Sequence, residues 1–582
     1  MNTAIFLGLR GTTILVGLAL SNALVSAATE RQSLLPLSSV SPNEEQIALG
    51  KQIYRQGFSS TNQPITAIVQ GDVTFDGSQF TCINCHRRSG MGAIEGNRII
   101  PPVTGLALYN SSDGFWTDIE NLARRDTLTT SSAASPFSLS SELTYKKRPA
   151  YTDQTLVQAI REGIDSNGQP FSPLMPRYNL AEQDMSALIA YLKTLSTQFS
   201  PGVTEKNIYF ATVVTEEVNL DQRQAMLTVL ETYFKEKNAQ TRDETRRLQT
   251  GAFYHRYKNK AYRQWVLLPW LLTGPPTMWP EQLARYYQQQ PVFAMVSGIS
   301  THDWQPIYTF CEQRQIPCLL PNTDWPKLPD KPDDFYTLYF SKGVSLEALA
   351  IAKQLARHSR PTTILQVFRP DTVGAAAAQM VHRTLPKAAI RDWSLTATTK
   401  LTVNSLSNQV QTSPTSIVIF WLSGDELVEL TDWSIRLENS PQFYFSTTLL
   451  NSQFTLIPQS MRDKSFVAHP YSLPTDLKPR SQRIQAWLQN RNIPLVNLKI
   501  QDQTYFASLI LGEGIMHIKR YFYRDYLLDS IDHAEGMAIF SAYYPRLSFG
   551  PGQRYLAKGC YILELKNQND EVIVNNSTWI VP

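Results

Sequence analysis

Cysteine and histidine are scarce in this chain, with five and eight among 582 residues. Three of them nevertheless fall together in Phe80-Thr81-Cys82-Ile83-Asn84-Cys85-His86. Two thiols on one turn, with an imidazole directly after the second, form the arrangement that covalent haem attachment requires. The thiols add to the two vinyl groups of one porphyrin, and the imidazole falls beneath the iron. A thioredoxin-type redox pair would call for a βαβ context, and a zinc site for a second pair of ligands nearby. The next cysteine is Cys311. One covalent haem c on Cys82 and Cys85 is therefore expected, with His86 as proximal iron ligand.

The elements that must hold this turn are read as helices. Ser41-Pro42-Asn43-Glu44 carries the N-cap, proline and acidic N3 residue of a capping box, opening a helix through Tyr54 with the inner stripe Ile47, Gly50, Ile53 and Tyr54. A glycine on an apolar helix face lowers helix propensity and suits close approach by a second helix. That partner is predicted after the cap Asn179-Leu180-Ala181-Glu182, where Met185, Leu188, Ile189, Leu192 and Leu195 recur at helical spacing and Tyr191 can pack at Gly50. Between them Thr152 caps a third helix with Leu156, Val157 and Ile160, ending near Gly163. Residues 36–200 are thus read as an all-α unit.

With Gly50, Tyr54, Cys82-x-x-Cys85-His86, Pro101-Pro102 and Leu174-Met175-Pro176 before a terminal helix, this segment resembles a class I cytochrome c. The resemblance implies a low-spin haem with histidine and methionine ligands. It also implies that a proline carbonyl, of Pro101 or Pro102, accepts the proximal histidine's Nδ1–H. Extra loop at 59–79 and 111–145 departs from the compact form of that family. No histidine other than His86 lies between the N-terminal apolar run and Ser200, so a second axial ligand is sought among methionines. Met91 is five residues from His86, about 17 Å of extended chain, too short to round the porphyrin. Met185 belongs to the helical stripe. Met175, stiffened by Pro173 and Pro176, is the expected distal ligand. Such an iron has no open position, which favours electron transfer over oxygen or peroxide chemistry. Arg87, Arg88, Arg177 and Tyr178 flank the two ligands, placed for a propionate or an acidic redox partner, or as ordinary solvated surface charge.

Arg10, the apolar run 12–25 and the small residues Ser26, Ala27 and Ala28 read as a secretory signal peptide over residues 1–27. Ser21 and Asn22 interrupt the run, against roughly 20 apolar residues for a spanning helix. Export to the periplasm agrees with c-type haem attachment. In an oxidising compartment Cys311 and Cys318 can form a disulfide, and Cys560, in an apolar run, reads as a buried thiol. The formal charge is +4 without a dense basic run, so no nucleic-acid partner is indicated.

After Pro201-Gly202 the rhythm changes. Strand-like 208–214, 265–271, 292–297, 318–320 and 336–340 alternate with helices from Asp221, Pro280 and Trp304, and the series restarts at 362–367, 373–385, 416–421 and 425–430. Such alternation predicts parallel sheets covered by helices in two α/β lobes. The stretch 504–530 reads as one packing helix and 539–565 as closing strands. With Val296-Ser297-Gly298-Ile299-Ser300-Thr301, Phe335-Tyr336-Thr337-Leu338-Tyr339-Phe340 and Asp371-Thr372-Val373-Gly374, residues 201–582 resemble the type I periplasmic binding proteins of the leucine/branched-chain amino-acid receptor family. The resemblance implies a ligand cleft between lobes, with Ser297, Ser300 and Thr301 at a helix N-terminus facing a carboxylate, and Tyr336 and Asp371 opposite. Ser300 and Thr301 read equally as helix caps.

The chain is therefore expected to be multidomain, an all-α cytochrome c domain followed by a two-lobed α/β binding-protein-like domain, and to be an exported single-electron carrier rather than an enzyme. Its partners would be a redox protein, such as a periplasmic dehydrogenase served as a haem subunit, or a small-molecule ligand. The alternative is a periplasmic solute receptor or sensor in which lobe closure modulates the haem.

Overall fold

A computed structural model describes residues 44–95, 98–111, 148–250, 263–329, 331, 333–357, 363–396, 398–412, 415–430, 441–533, 541–550, 552–568 and 571–582. The stretch read as a signal peptide, the Ser41-Pro42-Asn43 cap and most of the 111–145 loop lie outside them.

The haem-motif segment is built on two crossed helices, Glu44–Gln56 and Glu182–Thr194. They meet at Gly50, where an added Cβ would lie 2.0 Å from the Ala187 carbonyl oxygen and 2.7 Å from Cβ of Tyr191. Beside that contact the Tyr54 and Tyr191 rings pack with centroids 5.4 Å apart. Gly50→Ala must push two backbones apart. It is expected to destabilise the haem segment by about 3 kcal/mol, the upper end of overpacking, read as a fall in the denaturant midpoint of the haem absorbance. Thr152 forms a capping box with Thr155 at the helix Asp153–Glu162, which stops at Gly163 in the left-handed region. The second predicted cap is displaced. That helix starts at Glu182 after Ala181, and Asn179 ends a strand.

The segment is not all-α. Strands β1 (Thr66–Val69) and β2 (Val73–Asp76) and the hairpin β3 (Ala93–Glu95) with β4 (Arg98–Ile100) come from the extra loop and from the turn after the haem motif. Strand β5 (Arg177–Asn179), just after Met175, pairs antiparallel with β1. Only alternation over three or four residues marks these strands, too short a pattern to read against a helical background.

Beyond residue 201 the chain forms two parallel-sheet lobes. The first holds β6 (Asn207–Thr215), β7 (Gln264–Leu272), β8 (Ala294–Val296), β9 (Cys318–Leu319) and β10 (Thr337–Leu338) in the order β10-β9-β8-β6-β7, every pair parallel. The second holds β11 (Thr363–Phe368), β12 (Ala389–Ser394), β13 (Ile417–Trp421), β14 (Gln442–Ser446), β15 (Ser465–His469), β16 (Cys560–Gln568) and β17 (Glu571–Ile580). Their order is β12-β11-β13-β14-β15-β16-β17, with the last two pairings antiparallel. Strands buried on both faces, such as β13 with Ile417 to Trp421 all buried, explain the continuous apolar runs.

The chain crosses between lobes after β10, after β15 and before β16. The helices Pro474–Gln489, Leu498–Ile518 and Arg524–Asp532 thereby return to the core of the first lobe. The stretch read as one helix over 504–530 is two, broken at 519–523, and their buried faces enclose Phe506, Ile510, Leu527 and Ile531. The closing strands begin only at Cys560 and run to Ile580.

Candidate functional site

Cys82–His86 is one helical turn opened by Thr81 and ended by Arg87, a non-glycine residue at φ 68°. Several bonds hold it there. The Arg87 carbonyl accepts from the Tyr54 hydroxyl at 2.7 Å, Arg87 N–H donates to the Ile83 carbonyl at 3.0 Å, and Gly92 N–H donates to the His86 carbonyl at 3.2 Å. Tyr54, which packs at the helix crossing, thus ties that crossing to the end of the motif.

The His86 ring is buried, and its Nδ1 lies 2.7 Å from the Pro101 carbonyl oxygen. A carbonyl only accepts, so Nδ1 carries the proton and Nε2 presents a bare lone pair. That Nε2 is buried and has no hydrogen-bond partner. An orphaned buried acceptor is costly unless something else uses it, and a metal ligand in the required tautomer is such a use. Burial lowers the His86 pKa, with the Pro101 bond opposing, which keeps the ring neutral as ligation demands. Cys82 is half-buried and Cys85 exposed, and neither is in a disulfide. These residues fit a covalently attached haem, and Pro101 rather than Pro102 is the carbonyl that orients the histidine. Among the described residues no group of three or more His, Cys, Asp or Glu could hold a separate metal ion.

Met175 is half-buried in a turn closed by its own N–H to the Ser172 carbonyl at 2.9 Å. Both flanks of this loop are anchored, to the turn between β1 and β2 and to the residues just before the haem motif. Gln70 N–H donates to the Pro173 carbonyl at 3.0 Å, and the Tyr178 hydroxyl donates to the Phe80 carbonyl, two residues before Cys82, at 2.6 Å. Arg177 donates to the Gly71 carbonyl. Met185 is core, 1 % exposed in the helix crossing, and Met91 is buried beside the turn after His86.

Arg88 is buried against the first lobe. Its guanidinium lies 4.3 Å from the Phe335 ring centroid and 5.3 Å from that of Tyr336, and pairs with Asp333 at 3.0 Å and Asp525 at 3.8 Å. Arg55 joins the same acids, 3.2 Å from Asp525 and 3.6 Å from Asp333. Asp529 accepts the Ser89 N–H at 2.9 Å, and burial pushes its carboxyl up to about 7. Arg88 and Ser89, the second and third residues after His86, are thus clamped onto the first lobe.

The residues expected in the cleft divide into separate places. Ser297 Oγ is buried, accepting from Asn322 Nδ2 at 2.9 Å and lying 3.3 Å from Thr504 Oγ1. Ser300 and Thr301 come together on Glu217, and they do not lie at a helix N-terminus, because the helix begins at Gln305. Tyr336 does not join them. It precedes β10, at the amino end of a parallel sheet whose carboxyl end carries Ser300, and its hydroxyl donates to Asp525 at 2.5 Å on the side of the haem motif. Asp371 is exposed in the loop after β11, at φ 55°. Cys311 and Cys318 are buried free thiols; burial and the adjacent Cys318 raise the Cys311 pKa. Glu217, Asp333 and Asp525 escaped sequence reasoning, since single acids carry no local signal.

Residues 69–196 match the cytochrome c family model, the segment that carries the haem motif, Pro101 and Met175. No curated protein matches the chain in sequence. Solved structures similar to it include a branched-chain amino acid ABC transporter protein from Thermus thermophilus with bound valine, at 12% identity, 64% of this chain, 96% of that chain and a TM-score of 0.46. A leucine binding protein from Thermotoga maritima has 10% identity, covers 64% and 98%, and scores 0.43. An ABC transporter substrate-binding protein from Sphaerobacter thermophilus has 13% identity, covers 64% and 98%, and scores 0.46. Among the described residues no helix is long and apolar enough to cross a membrane.

Proposed function

We propose that the chain is an exported c-type cytochrome that passes single electrons through one haem, bonded to Cys82 and Cys85 and ligated by His86 and Met175. The observation that carries this reading is the orphaned, buried His86 Nε2, its tautomer set by Pro101. When bound, the haem supplies a one-electron couple. The chain holds the proximal imidazole neutral and aimed, excludes water from it, and stiffens the loop that presents the thioether. Leu174, Val73 and Phe75, exposed beside that loop, offer an apolar face to a redox protein such as a dehydrogenase.

The test is covalent haem itself. Protein matured with haem in an exporting host should keep its haem stain after denaturation and acid-acetone extraction, and Cys82→Ala/Cys85→Ala should lose it. Extraction of haem from the unaltered chain would sink the reading.

A second reading, a sensor in which movement of the lobes reaches the haem, draws support from the Arg88 clamp. The strand that follows Phe335 and Tyr336 leads directly into the first crossing between lobes at 341–343. Under this reading, Asp525→Asn shifts the haem potential; an unchanged potential leaves the second domain as a passive dock.

A further inference from the structure

Three acids of the helix Arg524–Asp532 stand at i, i+4 and i+7, Asp525, Asp529 and Asp532, and so share one helix face. The two outer acids meet arginines. Asp525 pairs with Arg55 and Arg88 of the haem segment, and Asp532 with Arg554 of its own lobe. Asp529, between them, has no cation within ion-pair distance among the described residues. Its partner is Ser89, whose N–H donates to Asp529 Oδ2 at 2.9 Å. Ser89 is fully buried and Asp529 is 7 % exposed.

A carboxyl in such a place is held by hydrogen bonds alone. Burial pushes it up to about 7 against the bonds from the Ser89 hydroxyl and N–H, and the like charges of Asp525 and Asp532 push the same way as burial. The other titratable groups facing it are Tyr54 from the first helix, and Tyr526 and His533 from its own helix and the residue after it. Burial raises both tyrosine hydroxyls above their ordinary range, so neither ionises near neutrality. His533 competes for the same pH range, but its Nδ1 lies 2.7 Å from the Asp529 backbone carbonyl and not on the carboxyl.

Ser89 is the third residue after His86, and three residues of chain span at most about 10 Å. With the 2.9 Å bond, the Asp529 carboxyl is held within about 13 Å of the His86 Cα. Across protein rather than water, charges at that range act on one another. Oxidation of a haem ligated by His86 adds one positive charge, which favours the carboxylate and weakens its hold on a proton.

We propose that Asp529, a residue of the first lobe, is the proton partner of the haem electron: on oxidation one electron leaves for the redox protein and the proton of the Asp529 carboxyl leaves for water, and both return on reduction. This rests on the haem reading above. It gives the first lobe a part in the redox chemistry that requires neither a bound solute nor movement of the lobes. Linkage sets the sign. The carboxylate stabilises the oxidised state, so the midpoint potential is highest where Asp529 is protonated in both states and falls as pH rises through about 7.

The experiment is potentiometry of the full-length haem-loaded protein between about pH 5 and about pH 9. The midpoint of the unaltered protein should fall with rising pH, and Asp529→Asn, which keeps an oxygen for the Ser89 N–H, should lose at least half of that fall. The red-end charge-transfer band should be the same in both, showing the iron ligands undisturbed, and His533→Gln should keep the fall. A second measurement uses the unaltered protein alone. Oxidation by ferricyanide, which accepts an electron and no proton, should acidify a weakly buffered solution near neutral pH, read with an indicator dye. A flat potential, an equal fall in Asp529→Asn, loss of the fall in His533→Gln, or oxidation without acid release overturns the proposal while leaving the haem reading intact. If Asp529→Asn does not fold, acid release supports the proposal and its absence overturns it. A chain that takes up no covalent haem overturns the haem reading, and this proposal with it, and shows as a missing haem stain before any potential is measured.

Discussion

Met175→Ala is expected to lower the midpoint potential of the haem by on the order of 0.2 V, since a thioether opposite histidine raises the potential and its loss hands the position to water or a weaker donor. The same change should abolish the red-end charge-transfer band of the oxidised protein and let the reduced protein bind carbon monoxide. The fold should survive. Met175 is half-buried, and its loop stays anchored through Pro173 to Gln70 and through Tyr178 to Phe80. Potentiometry with a parallel carbon monoxide titration checks this. If the unaltered protein already bound carbon monoxide, or if Met175→Ala left potential and band unchanged, Met175 would not be the ligand. Met91 and Met185 serve as controls. Met185→Leu alters a core side chain 1 % exposed and should change stability by under about 1.5 kcal/mol without moving the potential.

How far the sequence discloses this arrangement depends on the range over which each signal acts. The haem turn is local: Cys82, Cys85 and His86 lie within five residues, and their chemistry is legible from spacing alone. The helix crossing is legible too. A glycine on an apolar face has one economical use, and Gly50 is met by Ala187 and Tyr191 as the stripe implied. The alternation of strands and helices after residue 201 marks both lobes because buried parallel strands are apolar throughout. Elements with weak local pattern are less legible. Strand β12 keeps Arg391 half-buried and Asp392 exposed at a sheet edge, so it lacks an apolar run. Asn179, a good cap by type, is drawn into β5 by pairing with Thr66. What sequence could not disclose is which charges meet across hundreds of positions. Arg88 read equally as a propionate ligand, a docking charge or solvated surface. Tyr336 entered the cleft only through the family resemblance, which matches its strand but not its end of the sheet. Only the direction of β10 places it on the haem side.

That misplacement bears on the second large effect, Arg88→Ala, which is expected to uncouple the haem segment from the first lobe and to cost about 3 kcal/mol. The Arg88 and Arg55 side chains are each 6 % exposed, and Asp525 is 18 % exposed. Deleting one cation from so enclosed a group leaves Asp525 sharing Arg55 alone. Breaking a buried pair costs roughly 3–5 kcal/mol where it leaves a charge uncompensated, and because Arg55 still pairs with Asp525 at 3.2 Å the loss here is about 2 kcal/mol. The bond to Asp333 adds less, since that carboxylate is 44 % exposed and screened by water. Loss of the cation over Phe335 and Tyr336 adds about 1 kcal/mol more. Neither the Ser89–Asp529 bond nor the linker contacts can replace it, for they tie backbone and rings rather than pair charge: Ser200 N–H donates to the Phe522 carbonyl at 3.0 Å, and Phe199 packs 5.7 Å from Phe522. In the unaltered protein, haem absorbance and far-ultraviolet circular dichroism should therefore follow one denaturant transition. In Arg88→Ala they should separate, the haem signal moving first. Arg88→Lys tests geometry against charge. A compact ammonium keeps the charge but loses the flat contact with Phe335 and the fork between Asp333 and Asp525, so it should restore less than half the loss. Coincident transitions with an unmoved midpoint in Arg88→Ala would mean that the acids of the lobe do not hold the haem segment. The sensor reading would then lose its main physical link, because the Arg88 cluster is the charged contact through which the lobe reaches the turn after His86.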